Sequence, residues 1–144
     1  YIGGTKNGLL YGEALIIIND ELKKDFRYSL KHYGGMLAKG FNLGIQFETL
    51  LKDNLFFKIA QLENELAKKL DEGLRKLKVS FLYETESNQI FPIFKNDVIK
   101  KKKKHILFEV WEPRRDTSVI RFVTHFALTE NDIDETLRII KGCI

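Results

Sequence analysis

Lys6 is the residue best placed to do chemistry, because it lies in a glycine-rich segment near the start of the chain. Gly3, Gly4 and Gly8 surround it, and glycine permits the tight turns and close backbone approach that a ligand requires. A lysine amine buried in such a crowded place has its pKa lowered. A deprotonated amine is a nucleophile that can form a Schiff base with an aldehyde cofactor. On spacing alone, a surface turn with a solvated lysine is the alternative.

Arg121 is the second candidate, because it lies in the middle of a predicted strand at 119–125. Strand alternation puts it on one face with Val119 and Val123. An arginine in such a place needs an anionic partner, and its planar guanidinium fits a carboxylate bidentately. From the residues alone, a structural ion pair with a nearby carboxylate, Asp132 or Glu109, is the favoured interpretation.

The remaining reactive side chains predict no further site. The three histidines and Cys143 have no metal-ligand spacing, so no metal site is expected. Cys143 is the single cysteine and forms no internal disulfide, which favours a reducing, cytoplasmic setting. No run of about 18 apolar residues is present, so no membrane span is expected.

The net charge of +4 owes much to five consecutive lysines at 100–104. Such a run is found at nucleic-acid and anionic-membrane surfaces. Here it lacks interleaved aromatic residues and an RNA-binding signature. We therefore predict the solvated end of a helix, and neither a nucleic acid nor a membrane as a partner.

The first half of the chain is predicted to be mainly helical. Consecutive apolar residues predict a short buried strand at 12–18. Apolar stripes at helical spacing predict helices at 21–33 and 36–51. A polar break at 52–54 precedes a long helix at 55–77, whose leucines repeat every three or four residues.

From residue 78 onward the pattern changes to short strands rich in β-branched and aromatic residues. The predicted strands are 79–83, 89–94, 106–111 and 119–125. A helix is predicted at 96–104, and a second begins after Thr129 and ends at Gly142. Four strands and two helices predict a compact two-layer α+β unit.

Several motifs together resemble one known family. They are Gly3-Gly4-Thr5-Lys6-Asn7-Gly8, Tyr11-Gly12-Glu13-Ala14-Leu15-Ile16-Ile17, Gly34-Gly35-Met36-Leu37-Ala38-Lys39-Gly40, Gly44-Ile45-Gln46-Phe47, Lys52-Asp53-Asn54-Leu55, Ser87-Asn88-Gln89-Ile90-Phe91-Pro92 and Val119-Ile120-Arg121-Phe122-Val123-Thr124. Their order and spacing over nearly the whole chain resemble the threonine aldolase family, within the aromatic amino acid beta-eliminating lyase group.

The resemblance implies an α/β fold, the fold type I of pyridoxal-phosphate (PLP) transferase-like enzymes. It implies that the chain is the back half of such an enzyme and begins just before the cofactor lysine. Residues 1–33 would end the large PLP-binding domain, 34–77 would form the long helical linker, and 78–144 would form the small α+β C-terminal domain.

The resemblance also implies the site residues. Lys6 would be the lysine that forms the Schiff base with pyridoxal 5'-phosphate, with Thr5 beside it. Lys31 and Lys39 flank the Gly34-Gly35 turn, where related enzymes place basic residues near the cofactor phosphate. Arg121 would bind the α-carboxylate of the amino-acid substrate.

The implied activity is cleavage of a β-hydroxy-α-amino acid such as threonine to glycine and an aldehyde. The alternatives are a β-eliminating lyase or an aminotransferase on the same fold and, from another class, a non-catalytic basic α+β binding module. The resemblance implies a homo-oligomer, a dimer or tetramer. The missing N-terminal half would hold the cofactor ring and most of its phosphate, so we expect this chain alone to be inactive.

Overall fold

The computed structural model describes residues 1–102 and 105–144, which form two compact units, Tyr1–Lys58 and Ile59–Ile144. Each is described by itself. The predicted division into segments 1–33, 34–77 and 78–144 groups the residues differently and stays a prediction. None of the helices in the described ranges has the length and apolarity of a membrane span.

The first unit contains a two-stranded antiparallel ribbon followed by helices. Strand β1 (Ile2–Gly3) pairs with β2 (Glu13–Ala14). A short 3-10 helix (Asp20–Lys23), α1 (Phe26–His32) and α2 (Phe41–Leu51) follow. The side chain of Asn19 accepts a hydrogen bond from the backbone N–H of Glu21, which satisfies one of the free donors at the start of the 3-10 helix.

The helix predicted at 21–33 is interrupted at Asp25, whose φ of 55° is incompatible with a continuous right-handed helix. The helix predicted at 36–51 begins only at Phe41. Both differences lie next to polar or glycine-containing turns, where apolar spacing carries little information about where a helix starts.

The prediction of a buried strand at 12–18 is wrong for this chain. Only Glu13 and Ala14 pair as a strand, and the side chains of Leu15, Ile16 and Ile18 are exposed. A strand without alternation is buried when other elements cover both of its faces. In the described residues β2 pairs with β1 alone, so the apolar run is left uncovered.

The predicted break at 52–54 is confirmed. Asp53 and Asn54 have φ values of 52° and 59°, so the chain leaves α2 before it enters α3 (Leu55–Lys76). The leucine repeat therefore predicted the end of α3 to within one residue. In the second unit α3 buries Leu66, Leu70 and Leu74.

The second unit is a five-stranded antiparallel sheet with helices against it. The strands are β3 (Ser80–Phe81), β4 (Gln89–Ile90), β5 (Pro92–Lys95), β6 (Glu109–Pro113) and β7 (Thr117–Val123). Strand β7 is central, since β4, β5 and β6 all pair with it, and β3 pairs with β5. One strand more is found than predicted, because Phe91 separates β4 from β5.

The core lies between this sheet and three helices, α3, α4 (Asn96–Lys102) and α5 (Glu130–Lys141). From β7 it receives Ile120 and Phe122, which is the face predicted to be opposite Arg121. Helix α4 covers the start of the predicted helix at 96–104; Lys103 and Lys104 lie outside the described residues. The expected two-layer α+β architecture is therefore present in residues 59–144.

Helix α5 begins and ends where the sequence predicted. Thr129 accepts a hydrogen bond from the N–H of Asp132, and the Asp132 carboxylate accepts one from the N–H of Thr129, which forms a reciprocal capping box. The helix buries Ile133 and Ile140. Hydrogen bonds from Thr129 hold the pKa of the Asp132 carboxyl below its ordinary value.

Candidate functional site

The segment around Lys6 is a turn that links β1 to β2. Its shape is fixed by backbone hydrogen bonds: the N–H groups of Asn7 and Leu9 both donate to the carbonyl of Gly4, at 2.9 and 3.0 Å. The Asn7 side-chain amide donates to the carbonyl of Phe56 at 3.0 Å. The turn is therefore held both within itself and to the start of α3.

Glycine is required at two positions of this segment. Gly8 and Gly12 have φ values of 107° and 117°, a region that residues with a side chain rarely adopt. At Gly12 an added Cβ would also lie 2.8 Å from the Leu43 side chain. Of the three glycines around Lys6, Gly8 is thus required by the backbone of the turn, and Gly12 is required just before β2.

Lys6 itself differs from the expectation of a buried amine. Its side chain is exposed, because the described residues around the turn leave its outer side open. Within the described part of the chain, no hydrogen bond or ion pair involves Lys6. The ε-amine is therefore presented on a constrained turn with no competing partner among residues 1–102 and 105–144.

The other residues expected near a cofactor are exposed in the same unit. Thr5 precedes Lys6 in the turn, Lys31 lies in the last turn of α1, and Lys39 lies just before α2. Gly34, between the two lysines, has a φ of 75°. A role of these three residues at a cofactor phosphate stays a prediction.

Arg121 lies on β7 in the second unit, with its side chain 30% exposed. One guanidinium nitrogen, Nη2, donates to the carboxylate of Glu109, and the other, Nη1, makes a long 3.4 Å contact with the Gln89 side-chain oxygen. The carbon Cζ lies 5.2 Å from the centre of the Trp111 ring, a cation–π distance. Of the two carboxylates proposed from the sequence, Glu109 is the one that pairs with it.

The guanidinium is not saturated by these contacts. Its Nε is buried and has no hydrogen-bond partner among the described residues, and the 3.4 Å contact of Nη1 is at the outer limit for a hydrogen bond. Since each guanidinium nitrogen is a donor, Arg121 retains capacity for a further acceptor.

The neighbours of Arg121 are set by the pairing of β6 with β7. Glu109 stands directly opposite Arg121, and Val110 opposite Ile120, but Glu112 pairs with Val119. Trp111 is thus the extra residue of a β-bulge, a device that redirects a side chain and is common beside functional sites. The sequence analysis missed Trp111; the only signal was a tryptophan at the end of a predicted strand.

A cavity of about 650 Å³ lies beside Arg121. Its polar lining includes His105, Glu109, His125 and Asp132, and its apolar lining includes the core residues Leu70, Phe122 and Ile133. His125 also accepts a hydrogen bond from the N–H of Ala127 at 3.3 Å. The described residues contain no group of three or more His, Cys, Asp or Glu side chains that could hold a metal ion.

Glu63 is a buried carboxyl that the sequence analysis did not single out. Its side chain accepts a hydrogen bond from the N–H of Phe126 at 3.1 Å, and its backbone carbonyl accepts one from the Thr124 hydroxyl at 2.6 Å. Burial raises the pKa of the Glu63 carboxyl above its ordinary value, although the Phe126 N–H and the nearby His125 oppose the shift. Glu63 thus fastens the segment after β7 to α3.

Known proteins resemble this chain both in sequence and in structure. No protein-family model matches the chain. A low specificity L-threonine aldolase from Pseudomonas aeruginosa is 33% identical over 90 residues, which are 62% of this chain and 26% of that protein. A second protein of that name, from a Pseudomonas sp., is 32% identical over the same share of each chain. The chain thus spans about a quarter of the length of these curated relatives.

A solved structure is similar over almost the whole chain. The threonine aldolase of Leishmania major superposes with a TM-score of 0.94 and 39% sequence identity, covering 99% of this chain and 42% of its own. Because this similarity extends over 99% of the chain, we place both units in the α/β class, as part of a protein of fold type I. The chain is similar to threonine aldolases and corresponds to the C-terminal part of such proteins. Threonine aldolases are generally PLP-dependent lyases.

Proposed function

We propose that the chain is the C-terminal part of a PLP-dependent lyase that cleaves a β-hydroxy-α-amino acid such as threonine to glycine and an aldehyde. The observation that supports this most strongly is the 39% identity to the Leishmania threonine aldolase, sustained over 99% of the chain. The Lys6 turn and Arg121 provide two groups that such a reaction needs.

The residues present fit a PLP site. An amine that is exposed and without partners in the described chain, on a turn fixed by backbone hydrogen bonds, is free to bond covalently to the aldehyde of the cofactor. We assign this role to Lys6 and place Thr5, Lys31 and Lys39 near the cofactor. When bound, the cofactor supplies an electron sink for the electrons of the bond that breaks at the substrate Cα.

We assign Arg121 to the substrate α-carboxylate. Its guanidinium has an unpartnered Nε and a weakly engaged Nη1, and the planar fork of arginine matches a carboxylate. Holding the carboxylate fixes the orientation of the substrate Cα and therefore which of its bonds is broken. The binding energy is used to orient the reacting group.

The rest of the site belongs, in this proposal, to a preceding part of a longer parent protein. The chain spans 26% of the curated relatives and 42% of the solved one, so groups that grip the cofactor ring and most of its phosphate are expected elsewhere. In that parent protein, the large domain would end with residues 1–33, the long helical linker would comprise residues 34–77, and the small domain would comprise residues 78–144. We propose that it acts as a homo-oligomer.

The proposal is tested by measuring glycine release from threonine by the parent protein and its variants. The parent protein is expected to release glycine, Lys6→Ala to lose essentially all activity, and Arg121→Ala to lose most of its kcat/KM. The matched control is Arg114→Ala, which removes an arginine that pairs with Glu112 at 2.7 Å and is expected to retain activity. Full activity of Lys6→Ala would refute the assignment.

A further inference from the structure

The pairing of Arg121 with Glu109 has a consequence for how the arginine binds its ligand. Glu109 faces Arg121 directly across β6 and β7, where cross-strand side chains on one face are in contact. The Glu109 side chain is 54% exposed, so the pair is not a buried ion pair that the core requires. Its contribution to folding stability is therefore expected to be small.

Three contacts nevertheless restrict the guanidinium. Glu109 holds Nη2, Gln89 contacts Nη1 at 3.4 Å, and the Cζ of Arg121 lies over the ring of Trp111. The Trp111 ring is itself held by an edge-to-face contact with Phe91, with ring centres 5.4 Å apart. A free arginine side chain samples many rotamers, and these contacts reduce that freedom before any ligand binds.

We propose that Glu109 is a positioning residue for Arg121, holding the guanidinium in the orientation that receives the substrate carboxylate. Glu109 accepts a hydrogen bond from Nη2. The guanidinium donors that the described residues do not saturate, on Nε and Nη1, remain available to a ligand. This inference rests on the proposed function, because it assumes that Arg121 binds the carboxylate of an amino acid. The other possibility is that Glu109 competes with the substrate for the guanidinium. Removing Glu109 would raise KM if it positions Arg121 and would lower KM if it competes with the substrate.

The experiment measures kcat and KM for threonine in the parent protein with Glu109→Ala and Glu109→Gln. A positioning role predicts that Glu109→Ala raises KM about tenfold and leaves kcat within about twofold. Glu109→Gln keeps an oxygen acceptor for Nη2 and is expected to restore KM to within about threefold of the parent value. Glu109→Thr is a second variant that removes the carboxylate. Threonine is common in β-strands, so it is compatible with β6, which lies at one side of the sheet.

The control is Glu112→Ala on the same strand. Glu112 is also a carboxylate paired with an arginine, Arg114, but among the described residues it forms no hydrogen bond or ion pair with Arg121. Glu112→Ala is expected to leave KM unchanged. This control separates the loss of the Glu109–Arg121 contact from the loss of one negative charge on β6.

A double-mutant cycle shows whether Glu109 acts through Arg121. In an Arg121→Ala background, Glu109→Ala is expected to cause no further loss of kcat/KM, because there is no guanidinium left to position. An equal loss in both backgrounds, or an unchanged or lowered KM in Glu109→Ala alone, would overturn the inference. Failure of the proposed function looks different: the unsubstituted parent protein would release no glycine, or Arg121→Ala would retain its kcat/KM.

Discussion

The strand face on which Arg121 lies was predictable from the sequence, but its ion-pair partner was not. Alternation along 119–125 predicted that Arg121 lies opposite the core face, and Ile120 and Phe122 are indeed in the core. The choice between Glu109 and Asp132 as its partner was not predictable, because it depends on the register of β6 against β7. Register is a property of the pairing of two strands and is not encoded in either strand alone.

Glu63 allows a prediction about pH. Its pKa is raised by burial above the ordinary value of 4.5, so the folded protein binds a proton there more tightly than the unfolded chain does. Stability from this group is therefore present below pH 4.5 and is lost as the pH rises through the raised pKa. Glu63→Gln keeps an oxygen that accepts the hydrogen bond from the Phe126 N–H. Because the amide does not ionise, the variant does not lose this stability as the pH rises.

The midpoint of urea unfolding of the parent protein, measured from pH 4 to 8, checks this prediction. The midpoint of Glu63→Gln is expected to rise relative to that of the parent as the pH increases above about 4.5. Glu65→Gln, an exposed carboxylate on the same helix, controls for the loss of one negative charge. A constant difference between Glu63→Gln and the parent over the whole range would contradict the account.

Among the secondary-structure elements, α3 and α5 were predictable and β2 was not. The leucine repeat of α3 and the Thr129–Asp132 capping box of α5 are local signals that need no knowledge of the rest of the chain. The apolar run at 12–18 predicts burial, but burial depends on covering elements that the described chain does not supply. Gly73 was also missed: a Cβ there would lie 2.3 Å from Leu137, so α3 and α5 approach closely at this point.

The cap of α5 gives a prediction about this helix. Thr129→Ala removes the side-chain oxygen that accepts a hydrogen bond from the Asp132 N–H, and loss of such a cap costs about 1 kcal/mol. Thr129→Ser keeps the hydroxyl and is expected to cost much less. Hydrogen exchange of the first-turn amides of α5, measured in the parent protein, should accelerate in the alanine variant alone. Equal exchange in the two variants would show that the cap is unimportant.

The distribution of apolar surface is uneven between the two units. Among the described residues, the second unit encloses a core cluster of twelve buried side chains. In the first unit only Leu9 and Leu50 are buried hydrophobic residues, and many large apolar side chains are exposed. Leu10 and Ile18 are 84% and 88% exposed. Exposed apolar area of this kind marks a surface that another part of a protein covers, or an aggregation risk.

We therefore expect the isolated 144-residue chain to self-associate and to release no glycine from threonine. Ile18→Lys is expected to reduce the self-association, because it places a charge in the exposed apolar run. The control is Asn42→Lys, which adds the same charge at an exposed polar position. Light scattering across a concentration series measures the association. A monomer at all concentrations would contradict the prediction, as would measurable glycine release by the chain alone.

The proposed role of Lys6 as the cofactor lysine can be tested directly in the parent protein. The protein is reduced with borohydride, its absorbance spectrum is compared before and after, and its peptides are mapped. If Lys6 holds the cofactor, a visible absorbance band is removed by borohydride, and the pyridoxyl label is found on the peptide that contains Lys6. A label on another lysine, or the absence of the band from protein supplied with pyridoxal 5'-phosphate, would contradict it.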